Sequence, residues 1–308
     1  MQSFKYIYGP VPSRRMGLSI GISPIPKGHC NYSCIYCQLG RTKSMSNKRY
    51  DYFNYRDIVK EFKAYIKGDV LFDVVTIVGE GEPSLYLEVG TLINEIKQLT
   101  DKPTAIITNG ALLSQGSIRE ELKNADIVLP SLDACDEEMF KKINRPHGSV
   151  NFDDFIQGLK TFSKEYKGQL WIETMLIKGI NDSEEFFLNL KSLLDTINYH
   201  RLYINSPVRP PAESTVEQPS KESIEKAISI LGGISIDKLV SEGFYSGIED
   251  DYEAVLSIIK RHPMNQFEIK SFIEKRGNTN PNKFLERLDE DMDIEVINYK
   301  NYYTYRLK

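Results

Sequence analysis

Three of the four cysteines lie close together in the chain, with the spacing Cys30-x3-Cys34-x2-Cys37. Thiolates are the soft ligands that iron–sulfur clusters take. Three of them can hold three irons of a cubane and leave the fourth iron open, and an open coordination position is typical of catalytic metal sites. The alternative is a zinc site completed by His29, but zinc motifs usually pair two separated Cys/His units. The spacing therefore predicts one [4Fe-4S] cluster.

The fourth cysteine, Cys135, lies far from the other three along the chain. This distribution is unlike a disulfide framework, and it indicates a reducing compartment, the cytoplasm. One remaining thiol cannot supply the ligands of a second cubane of the usual kind. We interpret Cys135 as a small, partly buried residue, and the alternative is a reactive thiol near the site.

Three short polar motifs end or directly follow predicted buried strands. They are Gly79-Glu-Gly-Glu-Pro83, Thr108-Asn109-Gly110 and Ser131-Leu132-Asp133. Each is weak evidence by itself, because a sequence such as Thr-Asn-Gly is usually just a turn. Together with the cysteine loop they occur in order at successive strand ends. Because the carboxyl ends of parallel strands meet at one face of a barrel, the four motifs predict a single site there.

The cysteine loop, with Tyr36 just before its last cysteine, resembles the signature of the radical S-adenosylmethionine (SAM) superfamily. The segment 79–83 resembles the Gly-Gly-Glu-Pro motif of that superfamily, with Glu80 in place of the first glycine. The resemblance implies that SAM chelates the open iron and that one electron from the cluster splits it into methionine and a 5′-deoxyadenosyl radical. The residues that it implies as SAM contacts are Tyr36, Gly79, Glu80, Gly81, Glu82, Pro83, Thr108, Asn109, Ser131 and Asp133.

Four further segments are similar to a radical SAM family related to the wyosine-type tRNA synthetases. They are residues 8–15 (YGPVPSRR), 37–42 (CQLGRT), 144–147 (NRPH) and 205–213 (NSPVRPPAE). This resemblance covers roughly residues 4–215. It implies hydrogen abstraction from a substrate, with a tRNA base as the candidate, and an external electron donor such as flavodoxin or ferredoxin. The residues expected to contact the substrate are Arg14, Arg15, His147, Asn205 and Arg209.

Each of these assignments has an alternative. Arg14 and Arg15 can clamp a phosphate or a carboxylate, or they can close a surface salt bridge. His147 can equally be a turn residue. Two other functions also stay open: radical SAM chemistry on a protein or a small metabolite, and a non-catalytic iron–sulfur regulatory protein. The SAM motifs beyond the cysteines argue against the regulatory protein, which would not need them.

The elements that must position these residues are alternating strands and helices. Short apolar, β-branched runs at 18–25, 74–79, 104–109, 127–133, 170–177 and 202–205 are predicted strands. Amphipathic stretches at 55–67, 91–99, 118–122, 153–166 and 184–197 are predicted helices between them. Such alternation indicates a parallel sheet covered by helices. We therefore expect an α/β fold, a partial (β/α)6 TIM-like barrel over residues 1–235.

The pattern changes after this barrel. A glycine pair and an acidic run suggest a linker at 236–250. Helical patterns follow near 252–261, 265–275 and 281–289, the last starting with Asn280 and Pro281 as N-cap and N1 residues. Two short strands at 294–298 and 302–307 come last. Three helices followed by a hairpin predict a small winged-helix domain over residues 251–308.

Charge is unevenly distributed along the chain. Residues 1–50 contain eight Lys or Arg and no Asp or Glu, whereas residues 250–308 contain ten Lys or Arg and eleven Asp or Glu. Because affinity for nucleic acid depends on neutralising phosphates, the N-terminal region is the better RNA surface and the winged helix a poor one. The alternative is that these basic residues form a solvated face that binds no ligand. No secretory h-region and no apolar run of membrane-spanning length is seen, so we expect no membrane partner.

Overall fold

The computed structural model describes residues 4–68, 70–236, 243–300 and 302–308. Its strands are β1 (Ile7–Ser13), β2 (Gly17–Ile22), β3 (His29–Cys30), β4 (Ser44–Met45), β5 (Val74–Ile77), β6 (Thr104–Thr108), β7 (Ile127–Pro130), β8 (Gln169–Met175), β9 (Arg201–Asn205), β10 (Ile234–Ser235), β11 (Met264–Asn265), β12 (Ile294–Tyr299) and β13 (Tyr302–Leu307). Its α-helices are α1 (Tyr55–Ile66), α2 (Val89–Lys97), α3 (Gly116–Leu122), α4 (Glu137–Asn144), α5 (Phe152–Glu165), α6 (Glu184–Leu194), α7 (Lys221–Leu231), α8 (Asp251–Ile259), α9 (Gln266–Lys275) and α10 (Pro281–Asp289).

The main sheet has the strand order β1-β2-β5-β6-β7-β8-β9-β10. Neighbouring strands from β2 to β10 run parallel, and β1 pairs antiparallel with β2. The six predicted strands correspond to β2 and β5–β9, so the α/β fold with a parallel sheet and covering helices is confirmed. Strand β1 was missed because Pro10 and Pro12 interrupt its pattern, and proline in a strand is confined to edges and irregular positions. Helices α4 and α7 were also missed.

Local sequence accounts for where the helices begin. The side chains of Asn54, Asp136, Asn151 and Ser183 accept hydrogen bonds from the first-turn N–H groups of α1, α4, α5 and α6. Such caps satisfy N–H groups that have no partner inside the helix. Helix α10 begins at Pro281 after its N-cap Asn280, as the sequence predicted.

The C-terminal part of the chain forms a smaller unit of three helices, α8–α10, and a three-stranded antiparallel sheet in the order β11-β13-β12. Its apolar core continues into the main sheet through Tyr8 and Val11 of β1. Each large apolar side chain fully buried there stabilises the fold by about 1.5–3 kcal/mol. Polar contacts join the two parts as well: the Arg261 guanidinium donates to the Lys5 carbonyl oxygen at 2.6 Å, and Tyr299 Oη donates to the Pro207 carbonyl oxygen at 2.7 Å.

Two parts of the predicted organisation stay predictions. The observed strand order does not test whether the sheet closes into a partial (β/α)6 barrel or whether the C-terminal unit is a winged helix. Within the predicted linker 236–250, residues 237–242 lie outside the described residues. In the described part of the chain, no helix has the length and apolar character needed to cross a membrane.

Candidate functional site

A cavity of about 1120 Å³ is lined by residues that follow the parallel strands β5, β6, β7 and β9, by residues within the sheet, and by the turn between β1 and β2. Most of the sequence-predicted site residues line it: Arg14, Arg15, Cys30, Cys34, Tyr36, Cys37, Gly79, Gly81, Glu82, Thr108, Asn109, Ser131, Asn205 and Arg209. The predicted residues that do not line it are Glu80, Pro83, Asp133 and His147. One cavity therefore brings together the three cysteines of one loop and polar side chains that follow β1, β5, β6, β7 and β9 in the chain.

The cysteine loop follows β2 and is hydrogen-bonded to two neighbouring segments of the chain. The Ile35 N–H donates to the Ile143 carbonyl oxygen at 2.9 Å, which ties the loop to the end of α4. The Glu82 N–H donates to the His29 carbonyl oxygen at 3.0 Å, which ties the loop to the segment after β5. A Cβ atom at Gly81 would lie 1.7 Å from that His29 oxygen. Only glycine allows the two backbones to approach so closely.

The cysteine thiols receive polar contacts from side chains. The Asn109 amide donates to Cys30 Sγ at 3.7 Å, and the Asn144 amide donates to Cys34 Sγ at 3.6 Å. Burial raises the pKa of Cys30 to about 12, and it also raises the pKa values of Cys34 and Cys37. Metal ligation requires the thiolate. Binding of iron at these cysteines must therefore release protons, and the two amide donors stabilise the charge that results.

The chemistry of the donor set, three thiols that face one cavity, fits an iron–sulfur cubane. Among the described residues, no group of three or more His, Cys, Asp or Glu side chains is placed to hold one ion. In a cubane each iron takes its own thiolate, so the three sulfurs need not converge on a point. Cys30, Cys34 and Cys37 are all free thiols and all face the same cavity.

Glu82 holds the ends of β5 and β6 together. Its carboxylate accepts hydrogen bonds from the Thr108 hydroxyl at 2.6 Å, the Asn109 N–H at 2.7 Å and the Ser84 N–H at 2.9 Å. Burial raises the pKa of Glu82, while these donors oppose the rise. The Asn109 amide in turn donates to Asn31 Oδ1 at 2.6 Å, inside the cysteine loop. Three of the predicted SAM motifs are thus parts of one hydrogen-bonded network.

Asp133 lies behind the cavity wall and fixes Tyr36. Its carboxylate accepts from Tyr36 Oη at 2.6 Å, from the Asn144 amide at 2.7 Å and from the Met175 N–H at 2.8 Å. Burial raises the pKa of Asp133 to about 6, and these donors oppose the rise. In this structure the carboxylate orients the aromatic residue of the cysteine loop.

Glu80, which stands where the resembled motif has a glycine, points toward the C-terminal unit. Its Oε2 lies 3.3 Å from Arg261 Nε, and its Oε1 lies 3.8 Å from Lys260 Nζ. The side chains of Glu80 and Arg261 are only 5% and 2% exposed. The Glu80 carbonyl oxygen accepts from the Gly28 N–H at 2.6 Å and keeps a second lone pair. Glu80 in place of glycine therefore leaves its carbonyl oxygen able to accept a second hydrogen bond, and its side chain adds a buried ion pair to the C-terminal unit.

Of the predicted substrate residues, Arg15 and Asn205 meet at Glu173 on β8. Arg15 forms a short ion pair with Glu173, and the Asn205 amide donates to Glu173 Oε1 at 3.2 Å. His147 does not line the cavity: its Nδ1 contacts Ser149 Oγ at 2.9 Å, and its N–H donates to the Asn31 carbonyl oxygen of the cysteine loop at 2.7 Å.

The C-terminal unit supplies cavity-lining residues that sequence reasoning missed. They are Arg261, His262, Asn265, Phe267, Glu268, Ser271, Phe272, Lys275, Lys300 and Tyr302. The nearest signal in the sequence was the unusual Glu80, since a carboxyl group at a buried position requires a partner. Asn31, Asn144 and Glu173 were missed too, because no spacing rule distinguishes them from ordinary polar residues.

Comparisons with known proteins agree with this geometry. Residues 25–190 match the sequence profile of the Radical SAM superfamily. A UPF0026 protein of Methanocaldococcus jannaschii is 34% identical over 276 residues, which cover 87% of this chain and 86% of that protein. The solved structure of TYW1 with a lysine-pyruvate adduct bound has a TM-score of 0.52 and 24% identity, over 69% of this chain and 72% of that one. A radical SAM methyltransferase from Sphaerobacter thermophilus has a TM-score of 0.55 and 16% identity, over 71% and 68%. The likeness to the two solved structures is one of fold.

Proposed function

This chain belongs to the radical SAM superfamily, whose members are enzymes that use a [4Fe-4S] cluster and SAM, and we propose that it cleaves SAM reductively and abstracts hydrogen from a substrate. The observation that carries the proposal is the meeting of Cys30, Cys34 and Cys37 with the residues of the SAM motifs in one cavity. When bound, the cluster and SAM together supply a 5′-deoxyadenosyl radical. The chain itself binds and orients both groups and excludes water from them.

Each part of the cavity wall has a role in this proposal. The three cysteines hold the cluster, and Asn109 and Asn144 donate to two of their sulfurs. The backbone of Gly79–Pro83, Tyr36, Thr108 and Ser131 contacts SAM. Glu82 and Asp133 act indirectly, because their carboxylates are buried and already accept hydrogen bonds from other residues of the site.

For the architecture, we propose a partial (β/α)6 barrel over residues 1–235 and a winged-helix domain over 251–308, joined through 236–250. The supporting observations are the parallel order β2-β5-β6-β7-β8-β9 and the three helices followed by the β12–β13 hairpin. We place the enzyme in the cytoplasm, where a reducing environment keeps its thiols free. Its electron donor is then an external protein such as flavodoxin or ferredoxin.

A tRNA base is the first candidate substrate, because residues 4–215 resemble the family related to wyosine-type synthetases. A small metabolite is the second, and a specific observation favours it. The N-terminal basic residues largely have intramolecular partners: Arg15 pairs with Glu173, and Arg49 pairs with Glu121 at 2.6 Å. The Lys27 amine donates to the Leu307 carbonyl oxygen at 2.6 Å. These contacts leave less positive surface for an RNA backbone than the sequence suggested.

Enzyme activity is tested by SAM cleavage. The anaerobically reconstituted protein, given dithionite and SAM, is expected to release 5′-deoxyadenosine, measured by liquid chromatography and mass spectrometry. Cys34→Ala should lose both the iron–sulfur absorption and the product, since one of three thiolate ligands is gone. Cys135→Ala is the matched control, because the hydrogen-bond partner described for Cys135 Sγ is the Phe186 carbonyl oxygen, at 3.8 Å, and not a residue of the cysteine loop. No product from the wild type, with or without candidate substrates, would refute the proposal in favour of a non-catalytic regulator.

The tRNA candidate is tested by binding. Titration of the holoprotein with bulk tRNA at several salt concentrations should give a dissociation constant that rises with salt, because phosphate contacts release counterions. Binding that is absent, or that does not depend on salt, rejects tRNA and leaves the small metabolite.

A further inference from the structure

Tyr32 lies between the first two cysteines of the loop and carries a buried hydroxyl group without a hydrogen-bond partner. The residue is 2% exposed, and among the described residues its Oη finds no donor or acceptor. A buried hydroxyl that lacks a partner costs about 1–3 kcal/mol, so most such groups in proteins have one. The hydroxyl of Tyr32 therefore needs an acceptor that the described chain does not supply.

The contacts of Tyr32 hold its backbone and its ring in place. Its N–H donates to Cys30 Sγ at 3.4 Å, and its carbonyl oxygen accepts from the Thr42 hydroxyl at 2.5 Å. Its ring packs edge-to-face against Phe140 of α4, with the ring centroids 5.3 Å apart. Residue 32 also forms an antiparallel bridge with Pro146. The fold therefore fixes where the hydroxyl lies, and the ring is not free to turn toward another acceptor.

The hydroxyl of Tyr32 faces the cysteine sulfurs. Tyr32 lines the same cavity as the cysteines. Burial raises its pKa well above the usual value, and the neighbouring charges that raise the pKa further are, in decreasing order, those of Cys34, Glu82, Cys30 and Asp133. The two carboxylates each accept hydrogen bonds from three other donors. A thiol sulfur is a weak acceptor, whereas the sulfurs of a bound cluster accept hydrogen bonds.

We propose that the Tyr32 hydroxyl donates a hydrogen bond to a sulfur atom of the bound [4Fe-4S] cluster, beside Cys30 and Cys34, and so raises the reduction potential of the cluster. Hydrogen bonds to the sulfurs are among the factors that set the potentials of such clusters. Reduction adds negative charge, and a hydrogen-bond donor stabilises the more negative state more strongly. The proposal rests on the proposed function, because it requires the cluster. It adds to the three ligands a residue that adjusts how easily the cluster accepts its electron.

The experiment is an anaerobic redox titration of the cluster-loaded protein without SAM, followed by electron paramagnetic resonance of the reduced cluster. Tyr32→Phe keeps the ring against Phe140 and removes only the hydroxyl. At the midpoint potential of wild type, the ratio of reduced to oxidised cluster in this variant should be about tenfold lower, which is a shift of about 59 mV for a one-electron couple. Its iron content per chain should equal that of wild type.

Tyr52→Phe is the matched control. Its Oη is also buried without a hydrogen bond among the described residues. Its ring contacts that of His29, with the centroids 5.3 Å apart, but Tyr52 does not line the cavity. The control should keep the wild-type potential. The proposal is overturned if Tyr32→Phe also keeps that potential, or if the two variants shift it equally.

3-Fluorotyrosine at position 32 is the second variant, for the case that Tyr32→Phe takes up no iron. It keeps the hydroxyl and makes it a more acidic and stronger donor, so the potential should rise, and an unchanged or lower potential overturns the proposal. None of these measurements requires SAM. A wild type that takes up no cluster would defeat the proposed function as well, whereas a loaded wild type whose potential does not depend on Tyr32 defeats this proposal alone.

Discussion

Replacing Arg261 by methionine tests whether the ion pair between Glu80 and Arg261 stabilises the packing of the C-terminal unit against the segment 79–83. The change keeps a long apolar side chain over the Tyr8 ring, whose centroid lies 4.9 Å from the guanidinium carbon. It removes the charge 3.3 Å from Glu80 and the hydrogen bond to the Lys5 carbonyl oxygen. Glu80 would keep Lys260 at 3.8 Å.

The magnitude follows from these contacts. Removing one partner of a buried ion pair costs about 3–5 kcal/mol. We expect the lower end, about 3 kcal/mol of unfolding free energy, because Lys260 remains as a weaker partner. Glu80→Gln alone should also destabilise the protein, since Arg261 then stays buried without its carboxylate. The double variant should be less destabilised than the sum of the single ones, with a coupling energy of about 1–3 kcal/mol.

The assay is urea denaturation of the four proteins under anaerobic conditions, followed by circular dichroism and by tyrosine fluorescence. Arg41→Met is the control, because that exposed arginine has its ion pair at the surface, where such pairs contribute little. It should unfold with wild type. Additive effects of the Glu80 and Arg261 changes, or an Arg261→Met protein as stable as wild type, would refute the idea that this pair joins the two parts.

Three further changes test the packing and electrostatics of the site. Gly81→Ala should lower stability by about 1–3 kcal/mol or more and reduce the iron bound on reconstitution, because its Cβ meets the His29 carbonyl oxygen. Gly148→Ala is the control and should behave as wild type, since the space around its new methyl group is open. Equal iron content in the two variants would contradict the expected clash at Gly81. Tyr36→Phe removes a donor from the buried Asp133 carboxylate and should cost about 1–3 kcal/mol in urea denaturation; a loss within experimental error would show that the hydroxyl does not fix the carboxylate. Because the pKa of His262 is lowered from 6.5 in the folded protein, the unfolded chain binds the proton more tightly, and wild type should lose about 1 kcal/mol of stability between about pH 6.5 and 5.5. His262→Gln should lack this part of the pH dependence, and identical slopes for the two proteins would exclude a neutral buried imidazole.

Much of the site could be predicted because its determinants are local. Cys30, Cys34 and Cys37 lie within one short loop, and their spacing alone indicates the cluster. The other SAM motifs follow strands of a β/α repeat. Parallel strands joined by right-handed crossovers end at the same edge, so the order of the motifs along the chain was enough to predict that they meet in space.

Other features could not be read from the chain because they depend on contacts between distant segments. His147 was expected to contact the substrate, and the structure shows that its side chain contacts Ser149 and does not line the cavity. Asp133 was expected to contact SAM, and the sequence did not reveal that its carboxylate accepts from Tyr36 and Asn144. The positive charge of residues 1–50 suggested an open basic surface, and acids such as Glu173 and Glu121 pair with part of it.

The sequence by itself determined the parallel α/β order and which cysteines and polar motifs come together beside the strands. These follow from residue type, spacing and the periodicity of buried strands, which act over short stretches of chain. Only the tertiary structure decided that the C-terminal unit lines the same cavity and that Glu80 has Arg261 as its partner. The physical reason is that packing between segments distant in the chain sets which charges are desolvated together, and desolvation, unlike spacing, leaves no local pattern in the sequence.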